Sequence, residues 1–236
     1  SVYVADLDND GDMDIVSASM DDNTIAEYQN NLAALDARSF TAADIATSAD
    51  GAASVFAADM DNDGDMDIVS ASEYDDTIAW YENDGAENPS FSATDIATSA
   101  DGVVSVYVAD LDNDGDMDIV SASYADNTIA WYENDGAANP SWAAADIVTN
   151  ATSAYSVFVA DMDGDGDMDI VSASYADDTI AWYENDGAKN PTFTAADIAT
   201  SAEGASSVFA ADMDNDGDMD IVSASFGDHT IAWYEN

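Results

Sequence analysis

One acidic nonapeptide recurs five times in this 236-residue chain, and that recurrence limits the folds open to it more than any other feature. The copies begin at Asp6, Asp59, Asp110, Asp161 and Asp212, with spacings of 53, 51, 51 and 51 residues. A fixed period near 50 residues belongs to propellers, solenoids and arrays, in which each repeat is one supersecondary unit. The segment Asp-Gly-Asp-Met-Asp-Ile-Val-Ser-Ala-Ser is present in every copy, so the repeats share one local structure.

In the third copy the motif reads Asp110-Leu-Asp-Asn-Asp-Gly-Asp-Met-Asp118, with acids at positions 1, 3, 5, 7 and 9 and glycine at 6. A hard cation with six to eight oxygen ligands suits this pattern. Carboxylates at 1, 3 and 5 converge as the loop curls, the carbonyl at 7 adds an oxygen, and glycine allows the sharp turn. An EF-hand would carry Glu at position 12. Here position 12 is Ser121, inside the β-prone run Ile119–Ser123, so the loop closes early and feeds a strand. The candidate metal ligands are Asp6, Asp8, Asp10, Asp12 and Asp14 in the first copy and Asp59, Asp61, Asp63, Asp65 and Asp67 in the second. Asp110, Asp112, Asp114, Asp116 and Asp118 follow in the third, and Asp161, Asp163, Asp165, Asp167 and Asp169 in the fourth. The fifth has Asp212, Asp214, Asp216, Asp218 and Asp220. Magnesium, which keeps its waters and requires a near-ideal octahedron, fits less well than calcium.

Each unit reads as short strands. In the third, Ser105–Ala109 is a continuous apolar run, expected to be a strand buried on both faces. Ile119–Ser123 is a second strand of small side chains, Thr128–Glu133 a third rich in β-branched and aromatic residues, and Trp142–Thr149 a fourth. Four antiparallel strands per repeat make a propeller blade. The expected fold is therefore all-β: one propeller domain over residues 1–236, with units near 1–53, 54–104, 105–155, 156–206 and 207–236. The fifth blade lacks its outer strand, which leaves an open edge at Ile231–Glu235 for pairing with another chain. Asn31–Arg38 is the one stretch where a helical turn is expected.

Charge narrows the partners. Fifty-one acids face only Lys189 and Arg38, giving a formal net charge of −49, which makes nucleic acid and anionic membranes poor partners. Divalent cations, basic proteins or a high-salt milieu suit such a surface, and a marine or halophilic source is expected on this basis. There is no cysteine, hence no disulfide framework. No apolar run is long enough to span a membrane. The chain opens at Ser1 without a signal peptide or initiator Met and reads as a processed product or part of a longer protein.

The loop followed by Ile-Val-Ser-Ala-Ser, together with the Ile-Ala-Trp-Tyr-Glu-Asn strand, resembles the VCBS / FG-GAP repeats. These are calcium-loop propeller blades of bacterial secreted proteins, related to the blades of integrin α subunits. The resemblance covers essentially the whole chain. It implies about five calcium ions, one per blade, bound between the first and second strands. Carried onto the third blade, it makes ligands of the Asp110, Asp112, Asp114 and Asp118 side chains and the Asp116 carbonyl, with the same pattern in the other blades. Integrin-type rings have seven blades and this chain has five units. The fourth loop has Gly164 where the others have Asn, at a position that donates no ligand.

Five such ions would be structural. A site whose dissociation constant lies a hundredfold below ambient calcium stabilises the fold by about 2.7 kcal/mol, and five give on the order of 13, comparable to the stability of a whole domain. Trp80, Trp131, Trp182 and Trp233 occupy equivalent positions, with Glu27 in their place in the first blade; they are expected to pack blade against blade. Met13, Met66, Met117, Met168 and Met219 are expected to fill the core under the loops. Tyr124, Tyr175 and Phe226 are candidates for exposed contacts. The residues that break the repeat, Met20, Glu27, Arg38, Glu73, Tyr155, Lys189 and His229, form no catalytic constellation. The expected function is a non-catalytic, extracellular calcium-binding module for structure or adhesion, with self-association or a surface protein at the open edge. The alternatives are a multivalent lectin binding glycans, or an accessory domain of a secreted polysaccharide-active enzyme.

Overall fold

A computed structural model describes residues 1–31 and 39–236. Among the described residues there are nineteen strands in five antiparallel sheets, and no helix. The first sheet is β1 (Val2–Ala5), β2 (Asp14–Ser19), β3 (Thr24–Asn31) and β4 (Ser39–Ala46). The second is β5 (Ala52–Ala58), β6 (Asp67–Ser72), β7 (Thr77–Asn83) and β8 (Phe91–Ala97). The third is β9 (Val103–Ala109), β10 (Asp118–Ser123), β11 (Thr128–Asn134) and β12 (Trp142–Val148). The fourth is β13 (Ala154–Ala160), β14 (Asp169–Ser174), β15 (Thr179–Asn185) and β16 (Phe193–Ala199). The fifth has three strands: β17 (Ala205–Ala211), β18 (Asp220–Ser225) and β19 (Thr230–Tyr234). In every sheet the strands lie in chain order, the blade form expected from the repeat. The helical turn expected at Asn31–Arg38 falls largely outside the described residues.

The chain packs as two compact units. Ser1–Val106 with Gly136–Ser141 forms one, and Tyr107–Asp135 with Trp142–Asn236 the other. In the first unit the core joins Leu7, Val16, Ile25, Val55, Ile68 and Tyr81. In the second, one cluster holds Leu111, Val120, Ile129, Val157 and Ile170, and a neighbouring one holds Met162, Val171, Ile180, Val208 and Ile221.

Burial within the sheets corrects one sequence expectation. The first strand, read as buried on both faces, alternates: Val106 and Val108 are buried while Tyr107 is only half-covered. The strand buried along its whole length is the second. Every residue of β6, β10 and β14 is buried, which the Ser and Ala side chains permit by letting neighbouring strands approach closely. The fourth strands β8, β12 and β16 are exposed over most of their length, as outer strands should be.

A second correction concerns the methionines. Met13, Met66 and Met117 are exposed, Met13 at 60 %, whereas Met168 and Met219 pack partly against a core. The residue that anchors the loop is instead at position 2. Leu7, Met60, Leu111 and Met162 are buried in the first four loops, where position 2 continues the inward face of the first strand, whereas Met213 in the fifth is exposed.

Candidate metal centres

Each acidic loop runs from the end of a first strand to the start of the second, and its own backbone shapes it. In the third loop the Asp110 carboxylate accepts the N–H groups of Asp114 (3.2 Å) and Gly115 (3.0 Å). Asp112 accepts from Asp114 N–H and Asp114 from Asp116 N–H, each at 3.2 Å. These short-range bonds curl the chain so that carboxylates two residues apart face inward. The turn needs unusual backbone at two points. Position 6 has φ between +93° and +105° in all five loops, a region only glycine enters readily. Position 4 is left-handed: Asn9, Asn62, Asn113 and Asn215 have φ of 57° to 64°, and Gly164 has φ of 76°. Asn and Gly are the residues that tolerate this conformation, which explains why the one substitution at position 4 is to glycine.

The curl gathers acids at every loop. Three carboxylates offer one oxygen each, all within 4.8 Å of one another, at Asp6, Asp8 and Asp10; Asp59, Asp61 and Asp67; and Asp110, Asp112 and Asp118. The other two groups are Asp161, Asp163 and Asp165, and Asp212, Asp214 and Asp220. Positions 1 and 3 thus join every cluster, completed by position 5 in the first and fourth loops and by position 9 in the others. Asp63, Asp114 and Asp216 at position 5 and Asp14 and Asp169 at position 9 lie outside the triads of their own loops. The position-7 acids Asp12, Asp65, Asp116, Asp167 and Asp218 belong to none. Two of these are bound elsewhere: Asn9 Nδ2 donates to Asp65, and Asn113 Nδ2 to Asp167, each at 2.6 Å.

Position 9 is the most buried acid of the loop and is held by both oxygens. Asp118 accepts Asn134 N–H on Oδ1 (2.8 Å) and Leu111 N–H on Oδ2 (3.1 Å). Asp67 does the same with Asn83 (2.8 Å) and Met60 (3.1 Å). Burial nevertheless outweighs these bonds and pushes both carboxyls up to about 7. The nearby indoles of Trp80 and Trp131 favour the charged forms, although neither indole N–H completes a hydrogen bond. Burial likewise raises Asp169, Asp8, Asp61 and Asp112. Asp220 goes the other way, lowered chiefly by the Asn236 N–H. Less protein surrounds the fifth sheet, where Trp233 beside it is 51 % exposed.

The clusters fit a cation. Oxygens sharing one ion can be no farther apart than twice the metal–oxygen distance, roughly 4.6–5.2 Å for calcium, and the observed spacing falls inside that limit. Asp112 is 6 % exposed, and its Oδ2 has no hydrogen-bond partner among the described residues; Asp6 Oδ1 is orphaned in the same way. A buried carboxylate oxygen left without a donor is costly, and a bound cation removes that cost.

Sequence reasoning missed two sets of functional side chains. Asn83, the last residue of β7, read as a turn signal, yet its Nδ2 donates to Leu7 O in the preceding sheet (2.9 Å) and to Met66 O (3.0 Å). Asn185 does the same for Leu111 O (2.8 Å), and Asn236 for Met162 O (2.8 Å). Glu27 is the other. It is buried in the first sheet, pushed up to about 7 by burial with Asp14 and Asp8 adding to it. Trp80 and Trp131 are buried, and Trp131 packs with Val157 and Ile170 of the next sheet, as expected. His229 occupies a left-handed turn position that Asn23, Asp76, Asn127 and Asp178 fill in the other repeats. Tyr124, Tyr155 and Tyr175 form a row with ring centroids 6.1 and 5.9 Å apart, its first two rings exposed.

The FG-GAP-like repeat family model matches four overlapping stretches, residues 6–70, 59–121, 111–172 and 161–223. No curated protein matches the chain. Among solved structures, a protein from Lactobacillus plantarum is similar at 16 % identity and a TM-score of 0.62, over 98 % of this chain and 65 % of that one. The V. cholerae biofilm matrix protein Bap1 is similar at 20 % identity and a TM-score of 0.54, over 99 % of this chain and 37 % of its own. A candidate 6-phosphogluconolactonase from Bacteroides uniformis is similar at 13 % identity and a TM-score of 0.66, over 99 % and 66 %. This chain therefore spans about two thirds or less of the length of each of the three.

Proposed function

The chain belongs to the FG-GAP-like repeat family, and from that premise we propose that it is a non-catalytic, extracellular calcium-binding module serving structure or adhesion. The observation that carries this reading is the recurrence of one carboxylate cluster in all five repeats, with a buried, unpartnered Asp112 oxygen in the third. Calcium suits the loops because their ligands are all hard oxygens on a flexible curl, and millimolar extracellular calcium is enough to fill even weak sites. An active site would set one repeat apart, whereas these clusters recur. The two described relatives, a matrix protein and a candidate lactonase, share the fold with this chain at 20 % and 13 % identity. Fold alone passes on neither role. A glycan-binding reading draws support from the Tyr124–Tyr155–Tyr175 row.

Thermal denaturation in millimolar calcium and in excess chelator tests the calcium reading. The melting temperature should fall by more than ten degrees on chelation and recover with calcium. A melting temperature indifferent to chelator would end it.

A further inference from the structure

Glu27 stands where the first sheet departs chemically from the other four. The valine of each second strand pairs across to one residue of the third strand: Val69 to Trp80, Val120 to Trp131, Val171 to Trp182 and Val222 to Trp233. Each of these indoles acts on the ninth-position aspartate of its own loop, Asp67, Asp118, Asp169 or Asp220. A side chain at this register position therefore lies within reach of its loop's ninth-position aspartate. In the first sheet the pairing is Val16 to Glu27, so a carboxylate takes the place of the indole. It comes within electrostatic range of Asp14 and Asp8. Glu27 is 5 % exposed, and its Oε2 has no hydrogen-bond partner among the described residues. A third acid buried beside two others, with one oxygen unsatisfied, is an unfavourable arrangement until a cation joins them.

The first loop's cluster, like the fourth's, is made by positions 1, 3 and 5, here Asp6, Asp8 and Asp10, without the ninth-position acid. Both oxygens of Asp14 accept backbone N–H groups, from Asn30 (2.7 Å) and Leu7 (2.9 Å). We propose that the Glu27 carboxylate is an additional oxygen ligand of the first loop's cation, reaching it from β3 at a register position where the other four sheets carry an indole. Affinity for calcium rises with the number of charged ligands, so the first site fills ahead of the rest. The inference rests on the calcium reading of the loops.

Calorimetric titration of the full chain with calcium chloride, on wild type and Glu27→Gln, tests it. Glutamine keeps the shape and removes the charge. Wild type should show one site at least tenfold tighter than the others, and Glu27→Gln should lose that site alone. Glu27→Trp, which gives the first sheet the residue of the other four, should yield five sites of similar affinity. Superimposable isotherms for wild type and Glu27→Gln would overturn the inference and leave the calcium reading standing. No calcium uptake by wild type would end both. A purely structural Glu27 predicts a lowered calcium-free melting temperature with unchanged affinity in Glu27→Gln. A crystal grown in calcium decides the geometry independently: a Glu27 oxygen should lie roughly 2.3–2.6 Å from the first-loop ion, and a separation near 4 Å would exclude it.

Discussion

Asp118→Asn should change sign in its effect on stability with pH and with calcium. In the calcium-free protein, burial moves the Asp118 carboxyl from an ordinary value near 3.8 to about 7. Because the folded value lies above the unfolded one, the stabilising contribution of this group is present in full below pH 4. It is lost as pH rises through about 7. Relative to a side chain that stays neutral, this shift costs about 4 kcal/mol at pH 8, where the group is largely ionised in both states, and roughly 1.6 at pH 5, where folding protonates it. Asparagine carries no charge and escapes that cost. It offers only one acceptor oxygen, however, to the two N–H groups of Leu111 and Asn134, and the orphaned N–H costs about 1–3 kcal/mol. In chelator the variant should match or trail wild type at pH 5 and exceed it by about 1–3 kcal/mol at pH 8. Saturating calcium gives wild type about 2.7 kcal/mol at this loop, which the variant forgoes, so its advantage disappears or reverses. Urea unfolding followed by circular dichroism from pH 5 to 8 reads these differences while staying above the pI of about 4.1. A stability difference that is flat across pH would refute the burial argument, and one indifferent to calcium would refute the ligand assignment.

Asn83→Ala removes the side-chain bonds to Leu7 O and Met66 O and should cost about 2–4 kcal/mol in the same urea assay. A loss under roughly 0.5 kcal/mol would mean the link between the two sheets is replaceable by water. Gly187→Ala places a Cβ on the Asp167 carboxylate at a residue with φ of +63°, and displacing that carboxylate breaks its bond from Asn113. A cost of about 2–4 kcal/mol is expected, with an unchanged midpoint arguing against the close approach.

What could be read from sequence was what is local in it. The loop chemistry is contained in nine residues, and the strands Ile119–Ser123 and Thr128–Glu133 differ from the observed β10 and β11 by one residue each. The repeat then carried one blade's reading to the rest. What escaped depends on residues far apart in the chain. Asn83 and its acceptor Leu7 are 76 positions apart, and nothing in Asn-Asp-Gly distinguishes a staple from a turn. Met13, Met66 and Met117 failed as core residues because an apolar side chain between two acids can face either way, and only the backbone at the strand start decides which. Glu27 was visible as a departure from the repeat. Its meaning required knowing that this register position lies within reach of a loop.

The asparagine links also join one acidic loop to the next. Asp14 holds the N–H of Leu7, whose carbonyl is held by Asn83, whose own N–H is held by Asp67. The path repeats from Asp118 through Leu111 and Asn185 to Asp169, and from Asp169 through Met162 and Asn236 to Asp220. Within each compact unit, neighbouring sheets (first and second; third, fourth and fifth) are thus coupled by a few bonds at the loop end, the arrangement a nearest-neighbour Ising chain describes. Order gained at one loop lowers the free energy of ordering the next. Disorder spreads along the row in the same stepwise way, from the loop where it starts.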